Sequence, residues 1–176
     1  MVTPKEHLAK LQKLSEEIKR VGQNIAQKMA LTGKSLVQHR IQSEGFGAEY
    51  STNDIPAYFL KGKARNAAGR KYLEENNLDD DLVSWGAFRK AQGLQNDFVD
   101  LTYSGRMFAG LTVIEKATEG TRFVARLGGS DREVDQKLDW NAQRYGDFLQ
   151  PNAAEQAEVD EIVQDEFEKL LRKYLG

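Results

Sequence analysis

Cysteine is absent from the 176 residues, so neither a disulfide staple nor a thiolate metal site is available. Only two histidines occur, His7 and His39. They stand too far apart for the i, i+4 spacing of a helical metal pair, so both read as ordinary surface residues. Proline is scarce, with three residues. No apolar run approaches the roughly 18 residues of a membrane span, and the first residues lack the apolar stretch of a signal peptide. The expectation is a soluble, unsecreted protein. A strong charge of one sign is also missing. The formal net charge of −2 argues against general nucleic-acid binding.

Catalytic motifs are equally thin. Gly33-Lys34-Ser35 invites a phosphate-loop reading, but that motif needs a glycine where Lys28 stands, and a preceding strand. No glycine-serine-glycine elbow appears. Carboxylate pairs suitable for glycoside hydrolysis discriminate nothing in a chain this rich in acids. Asp79-Asp80-Asp81 lacks the alternating pattern of a calcium loop and reads as a solvated charge run. No cofactor and no metal site is expected.

What is present is helical periodicity at both ends. Leu8, Leu11, Leu14, Ile18, Val21, Ile25 and Met29 recur every three or four residues, which predicts a long N-terminal helix over the first 40 residues. Pro4 suits its first turn, and Gly33 marks a site for a kink or break. The stripe at Leu11, Leu14, Ile18, Val21 and Ile25 is narrow, like a seam. It packs either within its own fold or at a subunit interface. Lys10, Lys13, Lys19 and Arg20 make this helix basic, whereas the C-terminal helix is net acidic, so the two should attract. That last helix has Asn152 as N-cap, Glu155 completing a capping box, and Val159, Ile162, Val163, Phe167, Leu170, Leu171 and Tyr174 at helical spacing.

The middle differs. Residues 45–81 hold Gly45, Gly47, Gly62, Gly69 and Pro56 with few apolar anchors. They predict a long irregular arm that orders on assembly, or a solvated loop. Lys61, Lys63, Arg65, Arg70 and Lys71 form a basic run there, followed by Glu74, Glu75 and the aspartates. The run suits phosphate or an acidic neighbour. Downstream, residues 85–92 predict a short helix stopped by Gly93, and Ser104 or Thr102 a cap for another helical turn. Residues 111–117 and 122–127 predict a hairpin turning at Gly120, and 131–145 a helix with Val134, Leu138 and Trp140 on its packing side. The whole reads as one α+β domain over 1–176, with a long N-terminal helix, a small antiparallel sheet with a hairpin, a C-terminal helix and the 45–81 arm.

The segment 88–107, Phe88-Arg89-Lys90-Ala91-Gln92-Gly93-Leu94-Gln95 continuing to Val99-Asp100-Leu101-Thr102-Tyr103-Ser104-Gly105-Arg106-Met107, resembles the centre of the tail-completion (neck) proteins of tailed bacteriophages and prophages. His39-Arg40-Ile41 with Gly45-Phe46, Tyr50-Ser51-Thr52, and Arg144-Tyr145-Gly146-Asp147-Phe148-Leu149 are similar to further elements of that family, in the same order. Gly146-Asp147 departs from its frequent proline-arginine, and the arm around Lys61 has no close counterpart. The resemblance implies an α+β fold and a non-enzymatic structural role in the virion. The partners it implies are copies of itself in a homo-oligomeric ring, and other neck, head-completion or tail-tube proteins. Non-specific contact with DNA in the channel is a further expectation, membrane contact is not, and assembly would occur in the bacterial host cytoplasm. The interface residues expected are Leu11, Leu14, Ile18, Val21, Ile25 and the five bases of the arm. The competing expectations are a peptidoglycan-cleaving lysis enzyme and a small DNA-packaging accessory protein.

Overall fold

The N-terminal periodicity is realised as one helix, α1, Pro4–Ser43, in a computed structural model that describes residues 3–76 and 81–175. Thr3 closes its first turn: the backbone N–H and hydroxyl of Thr3 donate to the Glu6 carboxylate at 2.7 and 2.9 Å. The helix runs through both internal glycines without a break. A Cβ on Gly22 would fall 2.4 Å from the ring of Phe123, whereas one on Gly33 would meet Val159 and Pro151 at 3.7 and 3.9 Å, ordinary contact. The break expected as one possibility at Gly33 does not occur; at Gly22 the missing side chain makes room for Phe123.

The architecture is α+β, with two separate two-stranded antiparallel sheets where one was expected. The chain divides into two compact units, one of Met1–His39 with Thr102–Gly176, the other of Arg40–Leu101.

In the first unit, α4 (Arg106–Gly110) leads into the hairpin β3 (Leu111–Glu119) and β4 (Arg122–Gly129). The short helix is capped by Gly105 in the left-handed region (φ 69°), not by Thr102 or Ser104. The Ser104 hydroxyl instead accepts the Arg106 N–H at 3.4 Å. Gly120 supplies the positive φ of the hairpin turn, 64°. The ladder slips between Val113 and Glu115, which bulges Ile114 out. A Cβ on Gly128 would meet the Ile114 side chain at 2.4 Å. Helix α5 (Arg132–Tyr145) starts at Asp131, whose carboxylate accepts the N–H groups of Glu133 and Val134 at 2.9 and 3.0 Å. Those bonds hold the Asp131 carboxyl below its ordinary pKa. Val134 is buried as expected, but Trp140 is 63 % exposed. Helix α6 (Ala153–Leu175) begins with the reciprocal capping box: Asn152 N–H donates to Glu155 at 2.7 Å, and Glu155 N–H to Asn152 Oδ1 at 2.9 Å. Leu14, Val37, Met107, Phe108, Leu111, Val134, Phe148 and Val159 are the buried apolar residues here. A fully buried residue of this size contributes about 1.5–3 kcal/mol.

The second unit holds most of what was expected to be an irregular arm. Residues 45–81 contain β1 (Asp54–Pro56), a 3₁₀ turn (Ala57–Leu60) and α2 (Ala67–Glu75). Strand β1 pairs with β2 (Leu82–Ser84), which feeds α3 (Trp85–Ala91). A few well-placed anchors suffice. Ala57, Leu60 and Leu73 are buried, and the Asn66 side chain caps α2 by accepting the Gly69 N–H at 2.8 Å. Gly69 packs so closely on Gln92 that a Cβ would lie 2.6 Å from Cγ. Asp79 and Asp80 lie outside the described residues, and Asp81 is exposed.

Candidate interaction surfaces

Within the segment 88–107, Arg89 and Asp100 form an internal framework. Arg89 of α3 is 1 % exposed, and its Nη2 donates to both oxygens of Asp100 at 3.1 and 3.0 Å. Its Nε donates to the Gln95 carbonyl at 2.9 Å. Asp100 in turn accepts the Tyr50 hydroxyl at 2.6 Å, and the Arg89 guanidinium lies 4.2 Å from the Tyr50 ring centroid. Burial first, then the bond to Asp100, pushes the Tyr50 hydroxyl above its ordinary pKa. A buried ion pair of this kind adds little net stability over an apolar substitute, but removing one partner strands the other charge. Leu101, next to it, has a positive φ of 54°, the one non-glycine with positive φ among the described residues.

The α1 stripe meets α6 within the same unit. Ile18, Ile25 and Met29 line a groove with Val163, Phe167 and Leu170. Val21 and Ile25 line another with Leu170, edged by the Lys28–Glu166 ion pair at 2.9 Å. Lys173 lies 3.8 Å from Glu17. Only the Lys28–Glu166 pair has the polarity expected of a basic first and an acidic last helix; the Lys173–Glu17 pair has the reverse, and Arg20 bonds to Glu17 within α1 at 2.6 Å. Leu14 is buried at 7 % exposure, whereas Leu11 remains exposed at 41 %.

The five bases expected at an interface, Lys61, Lys63, Arg65, Arg70 and Lys71, are all exposed and all in the second unit. Lys71 pairs with Glu75 at 3.5 Å within α2. Beside this run the structure exposes residues that periodicity did not single out. Tyr58, Phe59 and Leu82 are 50, 57 and 62 % exposed. A Tyr-Phe pair flanked by buried Ala57 and Leu60 was the available signal, because a 3₁₀ turn that buries its ends turns its middle outward.

Gly33-Lys34-Ser35 is helical, and Ser35 Oγ donates back to the Leu31 carbonyl at 3.0 Å, so no phosphate loop forms there. His7 and His39 are exposed. A groove of about 490 Å³ runs between α1 and β4, floored by Met29, Phe123, Leu127 and Val159. Among the described residues no cluster of three His, Asp or Glu could hold a metal ion, and no helix is long and apolar enough to cross a membrane. Comparison with protein-family models, curated proteins and solved structures finds no match to this chain.

Proposed function

We propose that this chain is a structural virion protein of a tailed phage or prophage, a neck or tail-completion subunit that acts as a homo-oligomeric ring at the head–tail junction. The observation that carries the reading is the segment 88–107. Its residues are those that build rather than react: Arg89 and Asp100 lock the second unit, Gly105 opens α4, and Met107 is buried. A segment devoted to shaping the fold suits a protein whose work is done by its surfaces. Its partners would be copies of itself and the neighbouring neck, head-completion or tail-tube proteins, within the particle.

Deleting the gene in the phage or prophage that carries it tests this. The expected result is DNA-filled heads and tails that fail to join, or tails left unfinished, seen by electron microscopy, with the protein found by mass spectrometry in wild-type particles. Complete, infectious particles from the deletion strain would overturn it. If those particles remained trapped in unlysed cells, the lysis-enzyme reading would replace it.

A further inference from the structure

We propose that the Tyr58–Phe59–Leu82 surface of the second unit docks onto the acidic outer ridge of α6 in a second copy of this chain. The proposal rests on the reading that the subunits assemble with one another, and it names the two faces that meet.

The first face is apolar at its centre and basic at its side. Tyr58 and Phe59 project from a 3₁₀ turn whose flanking residues Ala57 and Leu60 are 0 and 2 % exposed, so the pair is held on a fixed base. Their ring centroids are 4.2 Å apart. Leu82 lies opposite Pro56 in the β1–β2 ladder, next to the start of that turn, and the Ala57 N–H donates to the Asp81 carbonyl at 3.0 Å. Lys61, Lys63 and Arg65 follow directly, and no acid occurs between Ala57 and Leu73.

The second face carries the opposite sign. Glu158, Glu161, Asp165 and Glu168 follow one another at spacings of three, four and three residues, which places them on one ridge of α6, and all four are exposed. Between Ala153 and Glu168 there is no base. Its acidic part runs from Glu158 to Asp165; beyond it Glu168 pairs with Arg172 at 2.9 Å, beside Leu171, 43 % exposed, and Phe167, 38 % exposed. Lys61, Lys63 and Arg65 on one face and Glu158, Glu161 and Asp165 on the other are complementary in sign, and each face also carries exposed apolar side chains, with Asp81 adjoining Leu82 and Arg172 adjoining Leu171. Because the two faces differ, the contact is head-to-tail, and repetition closes a ring when the rotation permits.

Aromatics beside bases also suit a single-stranded nucleic acid. Here the rings are turned onto each other, and Leu82 has no flat face for a base to stack on. A helix bearing acids and apolar side chains fits the patch better.

The test uses the full chain in sedimentation velocity over a range of concentrations and salt. Lys61→Glu with Lys63→Glu, and separately Glu161→Lys with Asp165→Lys, should each weaken self-association about tenfold or more. Mixing the two variant proteins should restore both contacts between unlike copies, giving assemblies in which the two alternate. Combining all four changes in one chain should restore assembly. Circular dichroism and melting should be unchanged, since all four side chains are exposed. Phe59→Ser, which alters no charge, should weaken association at high salt as well as low. Association that ignores both charge reversals, a combined variant that fails to recover, or a wild-type chain that stays monomeric would overturn the proposal. Retention of single-stranded DNA that is lost in the Lys61/Lys63 variant while oligomers persist would reassign the patch to nucleic acid. Assembly through another surface removes this interface and leaves the neck-protein reading standing; the gene-deletion result decides that reading separately.

Discussion

Gly129 donates its backbone N–H to Asp135 Oδ1 at 2.7 Å and lies so near that residue's own backbone nitrogen that a Cβ would sit 2.6 Å from it. The end of β4 and the first turn of α5 are thus joined by main-chain contact, and backbone cannot step aside as a side-chain tip can. Gly129→Ala should destabilise the protein by about 1–3 kcal/mol, the usual cost of overpacking, read as a lowered denaturant midpoint. An unchanged midpoint would mean that α5 shifts freely against the hairpin.

Gly105 makes a different demand. Its φ is +69°, yet a Cβ there would meet nothing within 4 Å. The constraint is conformational alone. Gly105→Ala should cost roughly 1–2 kcal/mol, Gly105→Asn less, because asparagine tolerates the left-handed region, and Gly105→Val most. Equal melting temperatures for the alanine and asparagine variants would argue against this origin.

The Arg89–Asp100 pair is 1 and 8 % exposed at its two side chains. Asp100→Ala should cost about 3–5 kcal/mol by stranding a buried guanidinium. Arg89→Met combined with Asp100→Leu should cost less than either single change, which a double-mutant cycle would show. Additive losses would place the stability elsewhere in the unit.

Tyr50 links that pair to alkaline pH. Its folded pKa is raised above the unfolded value of about 10, so its contribution is fully present below that pH and is lost as pH climbs toward the folded value. Denaturant midpoints measured from neutral pH upward should fall beyond about pH 10, and less steeply in Tyr50→Phe. The Tyr72 hydroxyl, raised by burial, leaves a residual slope in that variant. Parallel curves for the two proteins would disprove the link.

Helix α1 separates core from surface along one stripe. Ile25→Asp should disrupt the packing of α1 on α6 and lower the melting temperature, since Ile25 lines both grooves between them. Leu11→Asp, at an exposed position, should leave melting unchanged. A stable Ile25 variant would show that the stripe is not part of the subunit's own packing.

Both terminal helices, the capping box at Asn152 and the Gly120 hairpin were legible in the sequence, because each rests on contacts within a few residues. The second unit was not. Its α2 has an apolar face reduced to Gly69 and Leu73, and its strands have three residues each. Too few side chains carry the pattern for periodicity to register. Its order comes from distant partners: Asn66 Nδ2 donates to the Gln92 carbonyl at 2.9 Å, and the Val99 N–H to the Ala48 carbonyl at 2.9 Å. The resemblance pointed at Arg89 and Asp100 without saying that they meet. The exposed Tyr58 and Phe59 were hidden by a composition that reads as loop. The α1 stripe was seen, but whether its partner lay in the same chain needed coordinates.

The second unit is a single uninterrupted stretch, Arg40–Leu101, set between two segments that together make the first. A genetic exchange with two breakpoints could therefore replace all of it at once. In a population of recombining genomes, the surface at Tyr58 and Lys61 would travel as a cassette, while the α6 ridge stayed behind with the host gene. The graft would have to preserve the helical phase of α1, which crosses the first breakpoint.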